Sequence, residues 1–293
     1  MDIFNGLEQI VEQNYPLSKC TWFGLGGNAD YFAKPRSIDE LKDIVKRCHE
    51  NNLAIKVLGS GSNLLITDKG IKAVVIKLDA EEFSKVTFDG QTVTAGAGAD
   101  LAKLVLQCTK KGLSGIEGLC GIPGSIGGSV RMNAGGRFGD LGQVVESVTL
   151  LDYNANTFVK SKPELVFDYR SVNITAPFIL DATLKMYEAD PEQILKTVQE
   201  VWIYKKNNQP LNTRNSGCIF KNPPGQAAGA LIDRAGLKDV ENGGAVVSDK
   251  HANFIIAKDG CTSNDVKNLI EHIQKCIQDK FDITLELEIE IWN

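Results

Sequence analysis

Between Gly112 and Gly142 the chain reads GLSGIEGLCGIPGSIGGSVRMNAGGRFGDLG, eleven glycines in thirty-one residues. Glycine weakens a helix or strand interior by roughly 0.5–1 kcal/mol relative to alanine, so neither element accounts for such a run. A fold that keeps it needs backbone without side chains: positive φ angles, tight turns, or main-chain N–H groups brought close to a ligand. A second glycine-rich loop, Gly59-Ser60-Gly61-Ser62-Asn63, follows the strand-like Ala54–Leu58. Two such loops point to a large phosphate-bearing ligand lying along the backbone.

The rest of the chain mixes helical and strand periods without strict alternation, which predicts an α+β fold. Ser37-Ile38-Asp39-Glu40 reads as a capping box opening a helix with Leu41, Ile44, Val45 and Cys48 on one face. Asp89-Gly90 lies between two strand-like runs and predicts a hairpin. Asp100 caps a helix that Gly112 ends. Val145–Asp152 with Thr157–Lys160 reads as another hairpin, and Phe178–Met186 as a strand. Asp190-Pro191 and Ser263 open two further helices, and Thr284–Trp292 alternates like a strand. The first seventeen residues, MDIFNGLEQIVEQNYPL, look helical and acidic, without the basic start of a signal peptide.

Several function classes are disfavoured. A formal net charge of −5 argues against nucleic acid as a partner. No apolar run approaches the ~20 residues of a membrane helix. Seven cysteines, an odd number without a Cys-x-x-Cys pair, favour reduced thiols and a cytoplasmic location over a disulfide framework. Three histidines, none spaced with cysteines or acids like a zinc site, make a metal centre a poor expectation.

Each motif has a plain reading beside the chemical one. The Gly59–Asn63 loop fits a pyrophosphate nest, or an ordinary turn; because Leu64-Leu65-Ile66-Thr67 after it reads as a buried strand, it does not fit a Rossmann fingerprint. Arg170, beside Tyr169, suits a solvated or ion-paired surface. Cys218, in Ser216-Gly217-Cys218-Ile219-Phe220-Lys221-Asn222, is a potential proton donor, since a thiol with a reference pKa near ~8.5 is protonated at neutral pH. It equally suits a structural position. Glu286, Glu288 and Glu290 would share one strand face, solvated or turned into a cleft.

Taken together, Thr21–Pro35, Leu58–Leu78, Gly112–Gly142, Tyr169-Arg170, Gly217–Pro223 (GCIFKNP), Gly243–Phe254 (GGAVVSDKHANF) and Leu285–Ile289 resemble the UDP-N-acetylenolpyruvoylglucosamine reductase family, in its shorter form, over nearly the whole chain. The resemblance implies a two-subdomain FAD-binding module of the vanillyl-alcohol-oxidase type (residues 1–80 and 81–188) and a C-terminal α+β substrate domain (189–293). It implies non-covalent FAD, with NADPH as hydride donor. Gly59, Ser60, Gly61, Ser62, Asn63 and Leu64, with Gly121, Ile122, Pro123, Gly124, Ser125, Gly127 and Gly128, would hold the pyrophosphate. Asn133, Ala134 and Gly135 would lie near the flavin. Arg170 would polarise the enolpyruvyl carboxylate, Cys218 would donate a proton where serine is commoner, and Glu288 would assist. Lys221 and Asn222 would contact a nucleotide-sugar substrate. The protein is expected to act as a monomer in making a bacterial cell-wall precursor.

The chain departs from the family pattern at Val172, where a serine is usual, at Glu290, where a basic residue is common, and at Ser129 and Arg131, where small and apolar residues are usual. A different flavin oxidoreductase on the same module, or a silent flavin-binding protein, are the competing expectations. The C-terminal motifs, and Arg170, Cys218 and Glu288 together, weigh against them.

Overall fold

The computed structural model describes residues 3–293. The chain forms two compact units that interleave along the sequence. One holds the residues up to Gln13, Tyr31–Ser60 and Lys72–Lys205; the other holds Asn14–Asp30, Gly61–Ile71 and Lys206–Asn293.

The first unit is built on a five-stranded antiparallel sheet. Its strand order is Thr157–Ser161, Val145–Leu151, Phe178–Lys185, Thr92–Gly96, Val86–Asp89. The predicted hairpin at Asp89-Gly90 is present, with Asp89 opposite Thr92. In the central strand Thr149 faces Asp181 while Leu150 faces Ile179, so Leu180 is an extra residue. That bulge re-aims the side chains on either side of it. Phe178 and Leu180 enter one apolar cluster with Leu41, Ile44, Val45 and Cys48 of helix Ile38–Glu50. Ala182 and Leu184 enter another, with Leu101, Leu104, Val105 and Cys108 of helix Leu101–Lys110. Each such large side chain contributes roughly 1.5–3 kcal/mol through burial.

The helix starts follow from local chemistry. Asp100 Oδ1 accepts from the Lys103 N–H at 2.8 Å. Ser37 Oγ accepts from the Glu40 N–H at 3.2 Å, but the reciprocal half of the expected capping box does not form. The Glu40 carboxylate instead takes the Arg36 N–H and guanidinium, at 2.7 and 2.5 Å. A charge-assisted pair outcompetes a single neutral N–H.

A four-stranded sheet has the order Val11–Pro16, Asn28–Ala33, Ile71–Lys77, Ile55–Leu58, the last two running parallel. Val11–Pro16 corrects the expected N-terminal helix. Gly6 takes φ +86°, which interrupts a helix, and Pro16 supplies no N–H to continue one. The first two residues of that expectation lie outside the described residues.

In the second unit, helix Ser263–Phe281 begins with a complete capping box between Thr262 and Asp265. Its face Val266, Leu269, Ile270, Ile273 and Ile277 packs in one cluster with the sheet Glu241–Asn242, Ala245–Val247, Ile255–Ala257. Leu64–Ile66, expected as a buried strand, pairs in parallel with Glu290–Trp292. The longer strand expected over Thr284–Trp292 is cut to those last three residues and one isolated bridge at Leu287. Residues 286–288 direct their main-chain bonds to Lys221 and Ile219 rather than to a continuous ladder. Glu286 and Glu288 flank the Leu287 bridge and Glu290 opens the separate short strand; Glu286 and Glu290 are exposed and Glu288 half-buried, while Leu285 and Ile289 are buried.

Candidate functional site

In the first unit the strand Ile55–Leu58 ends at Gly59-Ser60, beside the segment Ser125–Gly128 that opens the short helix Ile126–Arg131. The two approach closely. A Cβ on Gly59 would stand 2.7 Å from Ser125 Oγ, and one on Gly127 would stand 2.8 Å from the Ala97 Cβ. Between them lies a cavity of about 330 Å³, with Val57, Leu58, Pro177 and Ile179 on its apolar side. Among the described residues, the Gly59 and Ser60 N–H groups have no protein acceptor. Bare amides beside two serine hydroxyls form an anion cradle. The acidic residues in the lining are already engaged. Asp79 is paired with Lys34 and Lys77 at 3.3 and 3.5 Å, and Asp100 caps its helix. The cavity thus presents donors and apolar surface without an uncommitted carboxylate, which fits the phosphate and nucleoside portions of FAD. A valine at position 59 would push into Ser125; we expect Gly59→Val to fold but lose at least tenfold in FAD affinity, measured by fluorescence titration of the apoprotein.

The other end of the glycine-rich run is held from a helix. Gly121 lies against Trp202 and Lys205, and Lys205 Nζ donates to the Cys120 carbonyl at 2.5 Å. Burial pushes the Lys205 ammonium down to about 8. Asn133 is buried at φ +41°, and its side chain bridges two backbones. Its Nδ2 donates to the Asp168 carbonyl (3.0 Å), and its Oδ1 accepts from the Gly142 N–H (2.9 Å). Ala134 donates to the Ser129 carbonyl and accepts from Leu141, and Gly135 pairs with Asp140.

Asn133 thereby steadies Arg170. Tyr169 and Arg170 form a two-residue turn between the short strands Phe167–Asp168 and Ser171–Val172. Arg170 is half-buried, takes the left-handed φ of +57°, and stands 5.0 Å from the Tyr169 ring centre. A left-handed backbone costs an ordinary L-residue roughly 1–2 kcal/mol. Strain of this kind is held in place by the surrounding structure and is concentrated at working residues.

In the second unit, backbone pairing brings the C-terminal segment beside Cys218. Cys218 bridges to Phe254 and Phe220 to Leu287. The Glu288 N–H donates to the Ile219 carbonyl at 2.8 Å, and the Lys221 N–H to Glu286 at 2.9 Å. Asn253 locks the Cys218 side of this arrangement through both of its side-chain atoms, on the Phe220 N–H and carbonyl. Asn63 Nδ2 donates to the Glu288 carbonyl at 3.0 Å, so the Gly61–Leu64 end of the first glycine loop is fastened to Glu288. Leu64 is buried and pairs with Glu290. Asn222 Oδ1 accepts from the Ala228 N–H at the start of helix Ala228–Arg234, and Lys221 Nζ stands 3.5 Å from Glu286. Elsewhere, burial pushes the Cys48 and Cys108 thiols up to about 12 and Cys261 up to about 11.

The structure adds residues that the motifs did not reveal. Lys77, Ala97, Gly98, Arg131, Pro177 and Ile179 line the cavity. The run Ala95-Gly96-Ala97-Gly98-Ala99 was a readable signal for one wall. Pro177 and Ile179 sit in or beside an ordinary strand and carry no local signature.

Comparison with known proteins agrees with this construction. Residues 29–160 match the family model for an FAD binding domain, and residues 209–292 that for the UDP-N-acetylenolpyruvoylglucosamine reductase C-terminal domain. The wild-type Phl p 4.0202 structure, a glucose dehydrogenase, shares the FAD-module fold at TM-score 0.51 and 16% identity, over 65% of this chain and 45% of that one. The protein is an FAD-dependent oxidoreductase whose cofactor module is of the vanillyl-alcohol-oxidase type. A UDP-N-acetylenolpyruvoylglucosamine reductase from Listeria innocua is 40% identical over 283 residues, 96% of this chain and 94% of that protein. The crystal structure of the Thermus caldophilus reductase superposes at TM-score 0.84 with 38% identity, covering 97% of this chain and 99% of that one. The chain belongs to the UDP-N-acetylenolpyruvoylglucosamine reductase family.

Proposed function

We propose that this protein reduces UDP-N-acetylglucosamine enolpyruvate to UDP-N-acetylmuramate with NADPH, in peptidoglycan precursor synthesis. Bound FAD supplies the two-electron carrier between the nicotinamide and C3 of the enol ether. The observation that carries the reading is the bond from the Glu288 N–H to the carbonyl of Ile219, the residue after Cys218, which sets the backbones of two motifs some seventy residues apart side by side.

The roles follow from residue chemistry. Hydride arriving at C3 leaves an electron pair at C2, delocalised into the adjacent carboxylate. The Arg170 guanidinium pairs with that carboxylate in a fork and stabilises the developing charge. The Cys218 thiol gives its proton to C2, completing the saturated lactyl ether, and the thiolate is reprotonated from solvent. Glu288 orients the substrate carboxylate or the thiol, and Lys221 and Asn222 contact the nucleotide sugar. Gly59–Leu64 and the segment Gly121–Gly128 hold the pyrophosphate, with Asn133–Gly135 along the flavin. In this reading residues 1–80 and 81–188 act as FAD-binding subdomains and residues 189–293 as the substrate domain. The enzyme works as a cytoplasmic monomer; seven free thiols are in keeping with a reducing compartment.

Anaerobic stopped-flow absorbance tests the proposal. NADPH should bleach the flavin band, and UDP-N-acetylglucosamine enolpyruvate should restore it rapidly. Bleaching without restoration would leave an oxidoreductase with a different acceptor.

A further inference from the structure

We infer that Arg131 is a positioning residue for the reduction step, acting through Arg170; the inference rests on the reductase reading above. Arg131 is the last residue of helix Ile126–Arg131, whose first turn supplies Gly127 and Gly128 to the cavity wall, and Arg131 lines the same cavity. Its guanidinium grips three main-chain carbonyls. Nη1 donates to Ile174 at 2.6 Å, and Nη2 to Ala176 at 2.6 Å and Pro177 at 3.1 Å.

Those carbonyls lie in the connection between the Arg170 hairpin and the strand Phe178–Lys185. The connection has no regular structure, and Pro177 contributes no N–H. Ile174 and Ala176 are buried, so their carbonyls need partners inside the protein. Two residues beyond Arg131, Asn133 holds the other limb of the hairpin at Asp168. The end of this one helix therefore clamps the chain on both sides of Arg170. A rigid fork with five donors can hold three carbonyls at once; a lysine ammonium has the charge without the planar geometry. The clamp supports a left-handed arginine that would otherwise relax.

The alternative is a structural strap with no bearing on the reaction step. A double-mutant cycle separates the two, with Arg131→Met and Arg131→Lys each made alone and in an Arg170→Met background. Four quantities are read on the holoenzyme: FAD content, flavin bleaching by NADPH, reoxidation by UDP-N-acetylglucosamine enolpyruvate, and amide hydrogen exchange. Because Arg131 also lines the cofactor cavity, rates are read with FAD held saturating; in the parent background we then expect the NADPH step within about twofold, and reoxidation slowed about 20–100-fold by methionine and less by lysine. Exchange should quicken across residues 166–177 and not elsewhere. In the Arg170→Met background neither change should slow reoxidation further. Equal slowing of both half-reactions, or additive losses in the double variants, would overturn the positioning role. If Arg131→Met does not fold, the lysine arm of the cycle decides. A parent enzyme that the enolpyruvate substrate fails to reoxidise would overturn the reductase reading and this inference with it. A competent parent with additive variants would overturn this inference alone.

Discussion

Replacing Arg170 with glycine is expected to remove at least three orders of magnitude from substrate-dependent flavin reoxidation, with Tm held within about 4 °C of the parent. The two effects separate because the residue carries strain and function together. At φ +57° glycine has no Cβ penalty, which favours the variant by roughly 1 kcal/mol. Its extra freedom in the unfolded chain opposes this by a similar amount. The guanidinium has no substitute: a substrate carboxylate receiving charge from C2 would face a bare turn. The NADPH-dependent half-reaction, which does not involve this carboxylate, should remain within about threefold. Stopped-flow rates and a thermal scan on the same preparation check all of this. Reoxidation within tenfold of the parent would remove Arg170 from the mechanism.

Cys218→Ala is expected to lower kcat by roughly 10²–10⁴, and Cys218→Ser to stay within about tenfold. Alanine offers no proton to C2. A serine hydroxyl keeps the position and the O–H donor, but as a weaker acid it depends more on its surroundings. The backbone argues that either variant keeps the geometry. Residue 218 is fixed through the bridge to Phe254 and the neighbouring bonds of Asn253 to Phe220, none of which uses the thiol. Alkylation mapped by mass spectrometry offers an independent check: loss of turnover should track modification of Cys218 and not that of the partly exposed Cys20, Cys120, Cys261 or Cys276, while Cys48 and Cys108 are buried. An alanine variant that turns over normally would show that another group protonates C2.

The local parts of the fold were legible because their causes are local. Asp100 and Ser37 cap helices with their own side chains, and Asp89-Gly90 turns a hairpin without outside help. The N-terminal strand was not, because Val11–Pro16 becomes a strand through sheet partners distant in sequence that override its helical look. The same reason governs the site. The glycine loops announce themselves by composition, and the Gly59–Ser125 approach follows. The alternation of Glu286, Glu288 and Glu290 was legible, but not that Lys221 and Ile219 bond the first two while Asn63 and Leu64 hold the third. Arg131 looked merely out of pattern, since the carbonyls it holds are more than forty residues away.

The pairing of Leu64–Ile66 with Glu290–Trp292 bears on how the protein is made. Asn63 meets its Glu288 partner only when the ribosome has added 225 further residues. At ordinary synthesis rates that interval is on the order of 10–45 s. Throughout it, Leu65 and Ile66, both buried in the finished protein, have no strand to lie against. The nascent chain therefore carries an apolar, unpaired edge for most of its synthesis, which makes it a natural client for a chaperone that shields extended segments until the last strand emerges.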